Sequence, residues 1–170
     1  QYRSRSIATS FGAIRDIRQE MLLSAARHFR PDLLIVDHAP GGVGGEVIPT
    51  LRHLKARSPA TRLVVGLRDV VDDASRVREA WGREGVYELL DDLYDLILVY
   101  GTADVYDAVT EYALSARAAA KTRYVGYLGR RPRLRPAHEV RASLGLGRER
   151  LVVATAGGGG DGDDLFRAVT

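Results

Sequence analysis

The sequence predicts an α/β fold, a Rossmann-like parallel sheet with helices on both faces. Two observations lead there. Short apolar runs of the buried parallel-strand type recur at DLLIVD (32–37), TRLVVGL (61–67), DLILVYG (95–101) and TRYVGYLG (122–129). The stretches between them carry apolar residues at helical spacing, and strands separated by helices imply parallel pairing with crossovers on the sheet faces.

Each element has its own signature. Residues 11 to 29 place Ile14, Ile17, Met21, Leu22 and Ala25 on one helical face, and Pro31 ends that helix. DLLIVD follows as a strand, then the loop HAPGGVGG. Val47, Ile48, Leu51 and Leu54 recur at helical spacing, with Pro49 tolerated near the first turn. After TRLVVGL, Asp72 and Asp73 favour a helix start, because carboxylates there meet unpaired backbone N–H groups and the positive dipole end. Val77, Ala80 and Trp81 form the inward face of that helix. Beyond DLILVYG, the stripe Val105, Val109, Tyr112 and Ala116 predicts a further helix, and TRYVGYLG closes the series.

Composition narrows the function classes. A chain of 170 residues with 45% hydrophobic and 28% charged residues is a globular mixture with core to bury. No run reaches membrane-span length, and QYRSRSIATSFG lacks the apolar core of a signal peptide. The absence of cysteine excludes disulfides, thiolate metal sites and a cysteine nucleophile, and fits a reducing cytoplasm. Net charge is +3 and the pI about 9.4, yet acids and bases alternate and no aromatics interleave a basic cluster, so no nucleic-acid partner is expected. Lys55 and Lys121 are the only lysines among 25 basic residues.

From Arg130 the character changes. RRPRLRPAHEVRASLGLGRER reads as a linker with one or two helical turns, residues 130–148, between a first domain at 1–129 and the start of a second at 149–170. LVVATA (151–156) restarts a strand, and Gly157, Gly158, Gly159, Gly160 and Gly162 separate it from a helix beginning near Asp163. Such a turn brings bare backbone N–H groups to a diphosphate at a helix start. It equally suits a flexible turn. Asp161, Asp163 and Asp164 repel a phosphate unless they point away or, as suits Asp163 or Asp164, cap the helix; the trio could hold magnesium, but its spacing is not that of a calcium loop.

The loop after DLLIVD is chemically dense. Asp37, His38 and Glu46 flank Gly41, Gly42, Gly44 and Gly45 at the carboxyl end of a parallel strand, where open sheets place ligands. His38 suits a general base or a hydrogen-bond donor within the loop, and Glu46 a helix N-terminal carboxylate. Arg68 and Asp69 end the next strand on the same edge and line the same cleft, or form an exposed pair. This region also resembles the middle of a receiver domain with Asp37 as the phosphorylated residue. It lacks that family's acidic pair, hydroxyl residue and lysine: Gly66 to Asp69 and Gly101 stand where the last two belong.

Taken together, PDLLIVDHAPGGVGGE, LVVGLRDVVDD, DLYDLILVYG, YVGYLGR and LVVATAGGGGDG resemble a bacterial glycosyltransferase of the GT-B fold, related to the peptidoglycan N-acetylglucosaminyltransferase group. The resemblance implies two Rossmann-like domains facing a cleft: a truncated acceptor domain here, then the first corner of a donor domain. It implies transfer from a nucleoside diphosphate sugar to an acceptor hydroxyl without a required metal or other cofactor. His38 or Asp37 would be the base, Gly157 to Asp163 would hold the donor diphosphate, and the loop from Gly41 to Glu46 with Arg68 and Asp69 would face the acceptor. A lipid-linked acceptor, with peripheral membrane association, is compatible. The alternatives are a nucleotide-sugar 2-epimerase of the same fold and a noncatalytic nucleotide-binding or receiver-like module.

Overall fold

A computed structural model describes residues 9–129, 135–155 and 162–169. The chain divides into two compact units, residues 1–129 and 130–170. The first is a Rossmann-like parallel α/β unit. Its elements run α1 (Phe11–Phe29), β1 (Leu33–Asp37), α2 (Ile48–Arg57), β2 (Arg62–Arg68), α3 (Ala74–Glu84), α4 (Val86–Asp92), β3 (Leu96–Tyr100), α5 (Ala108–Glu111), α6 (Ala116–Ala120) and β4 (Thr122–Tyr124). All strand pairs are parallel, in the order β1-β2-β3-β4.

The register decides which side chains meet the helices. Val36 lies beside Val65, Val65 beside Ile97, and Ile97 beside Thr122, so these share one face. With Leu63, Leu67 and Val99 they form a core with Leu51 and Leu54 of α2, Val77 and Trp81 of α3, Leu89 and Leu90 of α4, Ala108 of α5 and Ala118 of α6. The other face carries Leu33, Ile35, Val64, Gly66, Leu96 and Leu98, and Leu33 and Ile35 are exposed. The expectation of helices on both faces is therefore corrected: among the described residues of this unit, the crossover helices pack on one. The cause is strand order. Each parallel crossover is right-handed, so strands added always in the same direction send every helix to the same side.

The α1 stripe is a second correction. The helix forms where expected, capped by Ser10 accepting from the Ala13 N–H, but Ile17, Met21, Leu22 and Ala25 are exposed and Ala26 is the buried residue. α1 packs chiefly on α2, at the end of the helical layer beyond edge strand β1, so little apolar surface reaches its stripe. The single helix expected through Val105 to Ala116 is two short ones. Ala113 takes a left-handed φ of 51°, and Asp107 and Ser115 each cap a separate start. Tyr112 at the break is fully buried; its hydroxyl accepts from the Val71 N–H at 2.8 Å and donates to the Asp69 carbonyl at 2.9 Å.

β4 ends at Tyr124 rather than continuing to Gly129. At the opposite edge, both lysines serve the fold. Lys55 pairs with Asp95 at 2.6 Å while Asp95 accepts from the Leu63 N–H at 2.9 Å, and Lys121 donates to the carbonyls of Asp91 and Tyr94.

In the second unit, α7 (Ala137–Ser143) supplies the helical turns expected of the linker, and α8 (Asp163–Val169) begins at the predicted residue. Residues 151–155 form no strand, and Leu151, Val152 and Val153 are exposed. An apolar run becomes a strand only with a neighbour to share its backbone hydrogen bonds, and the described residues offer LVVAT none. Among the described residues no helix is long and apolar enough to cross a membrane.

Candidate functional site

The site begins where β1 ends. His38 follows Asp37 with φ at 67°, the left-handed region that few non-glycine residues occupy. Its backbone N–H donates to the Gly66 carbonyl at 2.7 Å, continuing the β1–β2 pairing one step beyond the strand. The chain then turns on itself: Ala39 N–H donates to Asp37 O at 2.8 Å, Gly42 N–H to Ala39 O at 2.9 Å, and Val47 N–H to Gly41 O at 3.1 Å. From beneath, the buried Tyr94 hydroxyl donates to the Pro40 carbonyl at 2.5 Å. Burial holds that phenol well above its usual titration range.

Glu46 braces the loop from inside. Its side chain is 1% exposed, accepts from the Gly44 N–H at 2.8 Å and lies 2.9 Å from Arg18 of α1, an ionic approach without hydrogen-bond alignment. Burial raises the carboxyl's pKa, but the backbone N–H groups of Gly44, Glu46 and Val43 and the Arg18 charge outweigh it, and the net shift is downward. Gly42, with φ at 84°, leaves room for this carboxylate: a Cβ there would come within 2.5 Å of Glu46 Oε2. Part of the glycine pattern thus answers to the chain's own packing.

The loop forms one wall of a cavity of about 450 Å³. His38 and Gly41, Gly42, Gly44 and Gly45 line it on one side, and Ile48, Val71, Trp81, Glu84, Val86 and Leu89 on the other. Trp81 is fixed by Tyr112 at 5.2 Å and by an edge-on contact with Tyr87 at 5.9 Å between ring centroids. The walls are mainly apolar, and polar capacity comes from His38, Glu84 and the loop backbone. His38 Nδ1 is shielded from solvent and has no hydrogen-bond partner among the described residues.

Several expected site residues lie elsewhere. Glu46 does not line this cavity. Asp37 points to the bare face, where it accepts from the Tyr100 hydroxyl. Burial is the largest cause of that phenol's raised pKa, followed by the Asp37 charge and this hydrogen bond. Tyr100 reaches Asp37 across Gly66, whose missing side chain makes the passage. Arg68 is on the bare face too, and exposed. Asp69 lies against Gly101, accepts from the Val70 N–H at 2.8 Å and takes a hydrogen bond from Tyr127. His38 and the four glycines are therefore brought together, whereas Asp37, Glu46, Arg68 and Asp69 are outside the cavity lining.

Gly157, Gly158, Gly159, Gly160 and Asp161 fall outside the described residues. Gly162 is buried in the turn before α8, and its carbonyl accepts from the Phe166 N–H at 2.9 Å. Comparison with protein families, curated proteins and solved structures gives no match. Among the described residues no group of three or more His, Asp or Glu side chains is arranged to hold a metal.

Sequence reasoning missed Val71, Glu84, Val86 and Leu89 as cavity residues and gave Trp81 only a core role. The break at Gly85, left-handed at φ 68°, turns α3 into α4 and brings Glu84 and Val86 to the cavity.

Proposed function

We propose that this chain carries the acceptor side of a glycosyltransferase, with the acceptor hydroxyl bound in the cavity beside His38. The observation that carries the reading is His38 itself. A left-handed non-glycine backbone and a shielded, unpartnered ring nitrogen coincide at one residue, in a cavity wall, at the carboxyl end of a parallel strand. Strained geometry and unsatisfied polar atoms persist where function maintains them, and open parallel sheets take ligands at this edge.

In the reaction the His38 imidazole accepts the proton of the acceptor hydroxyl as that oxygen attacks the anomeric carbon of the donor sugar. The bond between that carbon and the diphosphate oxygen breaks, and the nucleoside diphosphate leaves with the electron pair. Trp81 and the apolar wall would exclude water, which would otherwise compete as acceptor. Between the two bases expected from sequence, the geometry favours His38, because Asp37 is engaged by Tyr100 on the other face.

The test is transfer in the full protein from a panel of uridine and guanosine diphosphate sugars, read as nucleoside diphosphate release with and without candidate acceptors. Asparagine tolerates the left-handed backbone, so His38→Asn keeps the loop conformation while removing the base. Turnover should fall about 100-fold or more with donor affinity retained, and Asp37→Asn should change turnover little. Undiminished turnover in His38→Asn would overturn the assignment, and turnover without any acceptor would favour the epimerase.

A further inference from the structure

The opposite edge of the sheet holds a second recess that the proposed reaction does not use. α1 and α2 both end there before feeding β1 and β2. Between their last turns lies an open recess of about 590 Å³, lined by Ala26, Arg27, Arg30, His53, Arg57 and Ser58. No acidic side chain contributes to its lining. None of the three arginines makes a side-chain hydrogen bond or ion pair among the described residues, a state they share with Arg52 and Arg68, whereas Arg15, Arg18, Arg83 and Arg117 are paired; what sets the three apart is that they line one recess. Arg30 stands at the α1 C-cap with φ at 49°, a left-handed position commonly filled by glycine.

Helix dipoles explain part of this. Cations in a last turn complement the partial negative charge of a helix end, which accounts for Arg27 and Arg57 taken singly. They do not explain why three arginines line one recess with no acidic residue among its lining, since gathered like charges repel. Guanidinium groups present planar forks of donors that match phosphate oxygens, and His53 and Ser58 add further donor capacity at the same wall.

We propose that the recess formed by Arg27, Arg30, His53 and Arg57 is a binding site for a phosphate-bearing ligand, separate from the His38 cavity. The shared chemistry is a phosphoryl anion, free in solution or displayed on a lipid headgroup, and the volume accommodates more than a bare ion.

Two arms distinguish the sources. Inorganic pyrophosphate is titrated calorimetrically into the full protein at constant ionic strength in chloride, and flotation is measured with phosphatidylcholine vesicles with and without phosphatidylglycerol. The same measurements are made on the Arg27→Gln/Arg57→Gln double variant, both positions being exposed, with circular dichroism verifying its fold. Binding in either arm should weaken roughly tenfold or more in the variant, the scale of losing charge-assisted hydrogen bonds. The responding arm identifies the source. Binding in neither arm, or binding that survives both substitutions, overturns the proposal. A separate Arg30→Gly variant relieves the left-handed backbone while removing the charge; gained thermal stability with lost pyrophosphate or vesicle binding supports a functional arginine there, and unchanged binding counts against it.

Discussion

The two faces of the sheet are made from the same strands yet obey different rules. On the covered face, Leu63, Val65, Leu67, Ile97 and Val99 have no measurable exposure, and they share one core with residues of the crossover helices. On the other, Ile35 is 55% exposed, and Leu96 and Leu98 are half-buried. Both faces carry apolar residues along the middle of β1 to β3, with Asp37, Arg62 and Arg68 only at strand ends of the bare one, so mid-strand hydrophobicity there does not distinguish them. The difference is topological: crossovers that always advance in one direction cover one side only.

The sharpest break of this comparison is a matched pair of truncations. Ile97→Ala should cost about 2–5 kcal/mol, because the deleted atoms leave a cavity that the packed helices cannot fill. Ile35→Ala removes the same atoms from the bare face and should cost less than about 1 kcal/mol. Urea unfolding of the two variants measures both. Equal losses would mean that the bare face is covered in solution.

A smaller effect should appear at a point where the bare face is tightly packed. Tyr100 crosses Gly66 to reach Asp37, and a side chain at Gly66 would overlap the phenol. Gly66→Val should therefore cost about 1–3 kcal/mol, the scale of overpacking. Adding Tyr100→Ala should recover part of the loss. If the double variant is no more stable than Gly66→Val alone, the crossing ring is not the cause.

Most strands and helices were legible in the sequence because their apolar periods are local. DLLIVD, TRLVVGL and DLILVYG became β1 to β3 within a residue of the expected bounds, and Asp73 caps α3 through its contacts with Ser75 and Arg76. What was not legible depends on partners. The α1 stripe predicts a buried face, but burial depends on what lies beyond β1. LVVAT has strand composition without a neighbour. For the site, the glycine loop and His38 could be read from a strand followed by a turn, whereas Trp81, Glu84 and Leu89 join them only through the packing of α3 and α4. Asp37 and His38 are adjacent in sequence, yet strand alternation and the turn send them to different surroundings.

The smallest expected effect separates the braced loop on the covered side from exposed carboxylates elsewhere. Glu46 has a folded-state pKa below the ordinary 4.5, so its contribution to stability is fully present above 4.5 and is lost as pH falls through the lower folded value. The unfolded chain takes up the proton first on acidification, and the folded loop must then give up an ionised group that Gly44 and Arg18 hold. Asp95 shifts the same way: burial raises its pKa, but the Leu63 N–H and Lys55 lower it further, so the acid slope has at least two sources. Glu46→Gln should flatten part of the decline below pH 4.5, leave the Asp95 share, and lower stability at neutral pH by a screened amount, since Arg18 is half-exposed. Stability measured by urea unfolding across that range tests it. An unchanged slope in Glu46→Gln would show that the carboxylate does not brace the His38 loop in the folded protein.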